Sequence, residues 1–327
     1  MNQSLNSKCV VGVDISVVTT TLGVVDIRGH ILGTDSFDNT QYVNIGEYVT
    51  ALANHILELV EKHGGYENIR SVGISAPSGN FVTGCIENPP NLPWQGNTPL
   101  ALMLRDRVGL AVAVGNDAHT TALGEYVFAS AHGMKNFVVL TVGHGVGSCI
   151  FIDGKARLGH GGFAGEVGHT VLIEGGRRCG CGQQGCLEAY CAEQGVLTTA
   201  REVMAEHPDT PTRMRDAEKL SPKIIGALCN EGDELAIEVM RRTGYYLGWG
   251  IANMASIIDP EAVIVSGGIS RSGHWLLDPT RESFEKHVFR NIRGKVKIEP
   301  SMLEDHERDI LGASALAWEV PEYSLFK

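Results

Sequence analysis

The sequence predicts an α/β fold, in which a mostly parallel sheet is covered by helices, and two domains. A strand at 71–75, a helix near 98–108 and a strand at 110–114 form the β-α-β succession that is typical of such sheets. The chain has 327 residues, of which 43% are hydrophobic, so it is long enough to bury a large core. A hairpin pattern that occurs twice along the chain indicates that its two halves are related.

The opening residues predict the first of these hairpins. A short apolar run at 9–15 is followed by a second run at 22–27 and a tight turn. Runs between 137 and 153 repeat this order, and 149–159 resembles 23–33 with one residue inserted after the turn glycine. We interpret the repeat as two homologous halves. The alternative is that any two buried hairpins look alike.

The segment between the hairpins predicts a helix, a strand and a long loop. Apolar residues recur at helical spacing from Ile45 to Val60, and a glycine pair ends that helix. After the strand at 71–75, the Pro- and Asn-rich segment 76–94 is expected to contain little secondary structure. Such a loop is as compatible with ligand binding as with a purely structural role.

Asn116 and Asp117 directly follow the strand at 110–114 and precede a helix predicted for Thr120 to Phe128. The carboxyl ends of strands in an α/β sheet face the crevice where ligands bind, so both side chains are candidates for chemistry. The alternative is that Asp117 serves only as the N-cap of the helix. The two interpretations are compatible with each other.

A cluster of cysteines predicts a metal site in the second half. Cys179, Cys181 and Cys186 fall within eight residues, and His169 precedes the first of them by ten. Three thiolates and one imidazole are a tetrahedral zinc ligand set, and a site with four protein ligands is structural. Buried free thiols, or one disulfide with a spare thiol, are the alternatives. Two carboxylates bracket the cluster: Glu166 and Glu188.

The remaining second half predicts a long helix and a buried strand. The helix spans Asp233 to Ile257, and Pro260 stops it soon afterwards. The strand at 262–266 runs into Gly267 and Gly268, a passage that permits close approach of a nucleotide but that tight turns also use. A further strand is expected at 296–299, and an apolar helix at 311–318 is expected to pack back on the first domain.

The composition excludes several classes of function. A net charge of −11 and an isoelectric point near 5.5 argue against a nucleic-acid surface. No signal-peptide core and no run of 18 apolar residues occur, so we expect a cytoplasmic protein without a membrane segment. The cysteines outside the cluster are expected to be buried reduced thiols: Cys9, Cys85, Cys149, Cys191 and Cys229.

Together these motifs resemble the ROK family of sugar kinases and sugar-responsive repressors, especially its bacterial glucokinase branch. The resemblance covers nearly the whole chain and rests on Asp14, Gly115-Asn-Asp-Ala118, Gly124-Glu125, Gly143-x-Gly145-Val-Gly147, Gly165-Glu-Val-Gly-His169, Cys179 to Glu188 and Ser266-Gly-Gly268. It implies an actin/hexokinase-type (ribonuclease H-like) two-domain fold with an inter-domain cleft. The smaller domain would comprise 1–116 plus 310–327, and the larger domain, with the cysteine cluster, 117–309.

The resemblance also implies transfer of the γ-phosphoryl group of ATP to a hexose, with Mg²⁺ bridging the phosphates and a homodimer as the assembly. The sugar would be glucose or a related aldohexose or N-acetylhexosamine. Asp117 would be the general base. The implied sugar contacts are Asn91, Asn116, Glu166, His169 and Glu188, with His169 also binding zinc. The implied ATP contacts are Asp14, Thr19, Gly143, His144, Gly145, Gly267 and Gly268.

The sequence departs from the family at the phosphate end. Family members usually follow the first aspartate with Ile/Leu-Gly-Gly/Ala-Thr, whereas Asp14 is followed by Ile15-Ser-Val-Val18, and His144 stands where a threonine usually lies. Valines resist the backbone angles of a glycine turn. The alternative function is therefore a sugar-binding pseudokinase with impaired use of ATP. A DNA-binding repressor is not expected, because the kinase-like domain begins by residue 9 and the charge is acidic.

Overall fold

The computed structural model describes residues 8–89 and 91–320. Its strands are β1 (Cys9–Ile15), β2 (Thr19–Asp26), β3 (Ile31–Asp38), β4 (Ile69–Ser75), β5 (Gly79–Asn80), β6 (Cys85–Glu87), β7 (Asn97–Thr98), β8 (Ala111–Gly115), β9 (Phe137–Val142), β10 (Val146–Ile152), β11 (Lys155–Ala156), β12 (Ala262–Ser266) and β13 (Lys297–Pro300). Its α-helices are α1 (Ile45–Lys62), α2 (Leu100–Val108), α3 (Asp117–Phe128), α4 (Glu188–Cys191), α5 (Glu193–Glu206), α6 (Pro222–Asn230), α7 (Glu234–Ile258), α8 (His274–His287) and α9 (Asp305–Glu319).

The chain divides into two compact units. The described residues of 1–132 and 302–327 form the first unit, and 133–301 form the second. Compact units of this kind are not the same as the domains of a family fold. The domain boundaries implied by the family resemblance, 1–116 plus 310–327 and 117–309, therefore stay a prediction.

The sheet of the first unit has the strand order β3-β2-β1-β4-β8. β1 pairs antiparallel with β2, and β2 with β3, whereas β1, β4 and β8 run parallel. Alternate residues of β1 face opposite sides of the sheet. Val11 and Val13 lie in a buried cluster with residues of α1 and α2, and Val10 lies in a second cluster with residues of α9.

Two glycines allow α9 to pack directly on this sheet. A Cβ atom at Gly12 would lie 2.4 Å from the carbonyl oxygen of Ile310, and one at Gly73 would lie 2.0 Å from that of Ala313. Any larger residue would therefore push the helix away from β1 and β4. The final helix thus packs on the first unit, as the sequence predicts.

The second unit repeats the topology of the first. Its sheet has the order β11-β10-β9-β12-β13, in which the first three strands are antiparallel and the last three are parallel. The predicted repeat is confirmed at this level. Residues from α5, α6, α7 and α8 share a buried cluster with β9, β10, β12 and β13.

Capping residues fix the ends of the long helices. The side chain of Asn44 accepts hydrogen bonds from N–H groups in the first turn of α1, and that of Asp233 does the same for α7. At the end of α7, Asp259 adopts a left-handed conformation with φ of 51°, and Pro260 follows. These ends agree with the predicted helices to within two residues.

Several local features differ from the predictions or extend them. The segment predicted as a loop contains β5 and β6, which form a small three-stranded sheet with β7. The opening hairpin continues into a third strand, β3, and α3 begins three residues earlier than predicted. Cys85 is only half-buried, whereas Cys9, Cys149, Cys191 and Cys229 are buried as expected.

Within 8–89 and 91–320, no helix is both long enough and apolar enough to cross a membrane.

Candidate active site

The first unit places three polar positions at one edge of its sheet. Because β1, β4 and β8 are parallel, their carboxyl ends meet, and the register aligns Asp14 with Ser75 and Ser75 with Gly115. Asn116 and Asp117 follow Gly115 at once. The same edge thus carries the aspartate of the first strand and the predicted catalytic residue, at the carboxyl ends of the strands.

Asn116, not Asp117, is the N-cap of α3. The Oδ1 atom of Asn116 accepts a hydrogen bond from the N–H group of His119 at 2.7 Å. Asp117 is the first residue of the helix, and its Oδ1 atom accepts from the N–H group of Ala118 at 2.9 Å. The alternative that Asp117 serves only as an N-cap is therefore wrong, and one carboxylate oxygen remains beyond the Ala118 contact.

The Asp117 carboxyl group is open to solvent but electrostatically perturbed. The residue is exposed, so a ligand can reach it. Its pKa is nevertheless raised, first because the surrounding protein displaces water from the carboxylate and then because the carboxylate of Asp309 lies nearby. The guanidinium group of Arg308 acts in the opposite direction. A carboxylate of raised pKa is a stronger proton acceptor once it is ionised.

Asp14 lies in the same electrostatic environment. Desolvation, followed by repulsion from Asp309, raises its pKa to about 7, while a hydrogen bond from the Ser75 hydroxyl partly opposes the shift. The Thr120 hydroxyl in turn lies 3.0 Å from that of Ser75. Near neutral pH this carboxyl group is therefore only partly ionised, and a bound cation would favour its anionic form.

The turn between β1 and β2 closes on itself through Ser16. The Ser16 hydroxyl donates to the carbonyl oxygen of Thr19 at 2.8 Å and accepts from its N–H group at 3.0 Å. The N–H group of Ser16 also donates to the carbonyl oxygen of Thr19, at 2.9 Å. No described residue from Asp14 to Thr19 has a positive φ, so the turn accommodates two valines without strain.

This turn leaves two donors for an anion. Val17 and Val18 are 46% and 56% exposed. Among the described residues, the N–H groups of these valines have no hydrogen-bond acceptor. The turn predicted to face the phosphates therefore keeps two backbone donors although it contains no glycine.

A buried polar cluster supports the turn from below. The Asn39 side chain donates to the carbonyl oxygen of Ser16 at 2.8 Å and accepts from the Thr20 hydroxyl at 2.6 Å. The Tyr48 hydroxyl lies 2.6 Å from the same threonine oxygen. Thr20 is fully buried, so its hydroxyl cannot reach a phosphate, whereas Thr19 is half-buried.

In the second unit, the predicted phosphate glycines lie at adjacent strand ends. Gly143 donates its N–H group to the carbonyl oxygen of Gly145 at 2.9 Å, which makes a tight turn between β9 and β10. Gly267 has a φ of 92°, and a Cβ atom there would lie 2.4 Å from the carbonyl oxygen of Val142. Gly268 opens a 3₁₀ helix and has open space where a Cβ would be.

His144 is tied to the start of α5 while most of its ring faces solvent. Its Nδ1 atom lies 2.5 Å from a carboxylate oxygen of Glu193, although the histidine side chain is 98% exposed. The N–H group of Glu193 also donates to the carbonyl oxygen of Gly143 at 2.9 Å. Glu193 thus holds the glycine turn at two points. Sequence reasoning missed this residue, because it carries no motif of its own.

The cysteine cluster has the dimensions of a tetrahedral metal site. The Sγ atoms of Cys181 and Cys186 lie 3.7 Å apart, and the Sγ atom of Cys179 lies 3.6 Å from Nδ1 of His169. A tetrahedral zinc ion with bonds of about 2.3 Å to sulfur and about 2.0 Å to nitrogen separates such pairs by about 3.8 and 3.5 Å. All four ligand atoms lie within 4.8 Å of one another.

The thiol chemistry fits a cation as well. Burial raises the pKa of Cys179 to about 12, whereas a hydrogen bond from the backbone N–H group of Gln183 lowers the pKa of Cys181 to about 7. A divalent cation would stabilise all three thiolates, including the one that burial disfavours.

The predicted sugar carboxylates flank this cluster. Glu166 is exposed and directly precedes the 3₁₀ helix that ends at His169. Glu188 begins α4, and its Oε1 atom lies 3.4 Å from Sγ of Cys179 and 3.9 Å from Nδ1 of His169. The cluster and both carboxylates therefore belong to one compact region of the second unit.

Comparison with known proteins assigns the chain to a family. The sequence pattern described as the ROK family matches residues 10–320. The chain belongs to the ROK family. The resemblance predicted from the motifs is confirmed.

Individual relatives of this ROK protein include enzymes and regulators. It is 33% identical to the glucokinase of Streptomyces coelicolor over 94% of this chain and 97% of that protein. It is 29% identical to the xylose repressor of Caldicellulosiruptor bescii over 96% of this chain and 80% of the repressor. The crystal structure of a ROK family glucokinase from Streptomyces griseus, in complex with glucose and AMPPNP, matches with a TM-score of 0.80 and 31% identity, over 95% of this chain and 100% of that one.

The structural similarity confirms the predicted fold class, which is the two-domain α/β fold of ROK hexokinases.

Two residues of the ROK protein that shift the pKa of Asp14 and Asp117 lie far along the sequence from the motifs. Arg308 and Asp309 reach the surroundings of Asp14 and Asp117 only because α9 packs across β1. Their side chains bond to each other, with 3.1 Å between Nε and Oδ1. Asn91 is exposed between β6 and β7, and among the described contacts it has none with Asp14 or Asp117.

Proposed function

We propose that the protein is an ATP-dependent sugar kinase that phosphorylates glucose or a related aldohexose or N-acetylhexosamine. The observation that carries the proposal is the Asp117 carboxyl group, which begins α3 at the carboxyl edge of the sheet, open to solvent and with a raised pKa. Membership of the ROK family and the glucokinase relatives support it.

In this proposal Asp117 accepts the proton of the sugar hydroxyl as that oxygen attacks the γ-phosphorus. Proton transfer by a positioned base typically contributes about 10²- to 10⁴-fold to a rate, and positioning of the two substrates accounts for much of the remainder. The protonated carboxyl group then returns its proton to solvent, to which the exposed side chain has access.

The hydroxyl groups of the sugar are proposed to bind amide, carboxylate and imidazole groups. Asn116, Glu166 and Glu188 supply oxygen atoms, and Asn91 is a weaker candidate. His169 faces the cysteines with Nδ1, which leaves Nε2 for a sugar hydroxyl. A ring of such groups at fixed geometry distinguishes one hydroxyl arrangement from another.

Zinc is proposed for the cysteine cluster, held by His169, Cys179, Cys181 and Cys186. Such an ion would hold the region rigid and would take no part in the chemistry, since four protein ligands close the coordination sphere. Mg²⁺ is proposed to accompany ATP. Asp14, Thr19 and the turns at 143–145 and 267–268 are the proposed surroundings of the phosphates.

A coupled assay with Mg-ATP and a panel of hexoses tests the proposal. We expect phosphorylation of at least one aldohexose, and loss of turnover in Asp117→Ala with retained sugar binding. Metal analysis of protein prepared without chelator should give about one zinc per chain. Light scattering of the purified protein tests the homodimer that the family resemblance implies.

A sugar-binding regulatory protein is the second candidate. The closed turn at Ser16 and the similarity to xylose repressors favour it. In that case glucose or a related sugar would raise the melting temperature, while no sugar would be phosphorylated above the level of Asp117→Ala. This result would exclude the kinase proposal and leave the sugar site in place.

A further inference from the structure

The Glu188 side chain connects the cysteine cluster to the glycine turn between β9 and β10. Its Oε2 atom accepts a hydrogen bond from the N–H group of Val146 at 3.0 Å. Its other oxygen, Oε1, lies 3.4 Å from Sγ of Cys179. One carboxylate therefore contacts two segments that are more than 30 residues apart in the sequence.

The Glu188 carboxylate packs closely against the glycine turn. A Cβ atom at Gly145 would lie 2.8 Å from Oε2 of Glu188, so that only glycine lets the carboxylate approach at this point without displacement. The 3₁₀ helix that carries His169 presses on the same strand, since a Cβ atom at Gly168 would lie 2.1 Å from the carbonyl oxygen of Val146. The metal-ligand segment and the turn therefore share a tightly packed boundary.

The position of Glu188 at this boundary depends on the cysteine cluster, because the two are close in the sequence. Cys186 is a proposed zinc ligand and precedes Glu188 by two residues. The N–H group of Leu187 donates to the carbonyl oxygen of Thr170, next to His169. A cation would fix three thiolates and one imidazole within 4.8 Å of one another and so fix the start of α4. Without it, these side chains are joined only by weak contacts to sulfur.

We propose that Glu188 is a positioning residue that couples metal occupancy of the cysteine cluster to the conformation of the glycine turn at 143–146. This role is additional to the sugar contact proposed for Glu188. It rests on the proposed function in one respect only, namely that the turn borders the nucleotide phosphates.

Hydrogen exchange of the Val146 amide, read by mass spectrometry or NMR, tests the coupling without any turnover. We expect the amide to exchange at least about tenfold faster in chelator-treated protein than in zinc-loaded protein, because its acceptor is no longer held in place. In Glu188→Ala the exchange should be fast in both forms. Glu188→Gln keeps one acceptor oxygen and should restore most of the protection.

Glu166→Gln is the matched control, since it alters the other proposed sugar carboxylate near the cluster. It should leave the difference between zinc-loaded and chelator-treated protein unchanged. Equal Val146 exchange in the two forms of the wild type, with zinc loss verified by metal analysis, would overturn the proposal. So would a metal-dependent difference that persists undiminished in Glu188→Ala.

Calorimetric titration with AMPPNP and Mg²⁺, in the absence of sugar, separates this inference from the proposed function. If the turn borders the phosphates, chelation and Glu188→Ala should each weaken binding by about tenfold, and their combination by little more. Absence of AMPPNP binding to the zinc-loaded wild type would count against the ATP-dependent function, while the Val146 exchange would still decide the coupling.

Discussion

The Oδ1 atom of Asn116 accepts a hydrogen bond from the N–H group of His119 at 2.7 Å, and this contact starts α3 one residue before Asp117. The first turn thus bonds the N–H group of His119 to the cap and that of Ala118 to the proposed base. An anionic carboxylate at the first position of a helix is stabilised by the helix dipole. Here the loss of hydration outweighs that effect, and the pKa of Asp117 is raised.

Replacing Asn116 should therefore affect stability and sugar binding separately. We expect Asn116→Ala to lower the free energy of unfolding by about 0.5–2 kcal/mol, because the cap is lost. Asn116→Ser keeps a capping oxygen and should retain most of that stability, while both variants lose the amide proposed to bind the sugar. Urea unfolding and sugar titration measure the two effects. Equal destabilisation by alanine and serine would contradict the capping role.

Asp309 should control the pH dependence of turnover. Its negative charge raises the pKa of both Asp117 and Asp14. A general base works when deprotonated, so kcat/KM falls as the pH drops through the pKa of the base. Asp309→Asn removes the repulsion, lowers that pKa and should move the acidic limb of the profile to lower pH.

The control for this experiment is Asp278→Asn, which removes an equal charge from an ion pair with Arg281 in the second unit. Its profile should coincide with that of the wild type. A profile of Asp309→Asn that also coincides with the wild type would show that Asp309 does not act on the base.

Asp14 should make the protein less stable as the pH rises. Its pKa in the folded protein is about 7 and therefore lies above the value in the unfolded chain. A group with a raised folded pKa contributes stability that is fully present below the unfolded pKa and is lost as the pH rises through the folded pKa. Between pH 5 and 8, the melting temperature of the wild type should thus fall more than that of Asp14→Asn. Parallel curves for the two proteins in the absence of Mg²⁺ would refute this.

The conformation of the turn at Ser16 should depend on Asn39, which directly follows β3. Asn39 is buried and bonds to both Ser16 and Thr20. Asn39→Ala leaves these partners unsatisfied and should lower the free energy of unfolding by about 1–3 kcal/mol. It should also raise the KM for ATP more than the KM for sugar, since the turn belongs to the proposed phosphate side. Thr40→Ala, at an exposed neighbour, serves as the control and should change neither KM.

Much of the fold follows from local sequence patterns. The apolar runs of β1, β4, β8 and β12 and the helical spacing in α1 and α7 identify these elements without tertiary information, because each buries one face or both. The cysteine cluster can equally be predicted from the sequence, since its cysteines fall within eight residues.

Other features depend on contacts that the sequence does not express locally. Asn and Asp are both favourable N-caps, so residue type cannot decide between Asn116 and Asp117. The strands β5 and β7 have two residues each, too few to show a period. Arg308 and Asp309 are separated from Asp14 by nearly the whole chain, and only the packing of α9 brings them to it.

The position of α9 has a consequence for biosynthesis. Gly12 and Gly73 expose their Cα atoms to backbone atoms of a helix that is translated more than 230 residues later. On the ribosome, all of 133–301 is made before α9 can pack on the first sheet. Until then, the apolar face of that sheet stays uncovered. A nascent chain paused before residue 305 therefore still exposes this apolar face, to which a chaperone can bind.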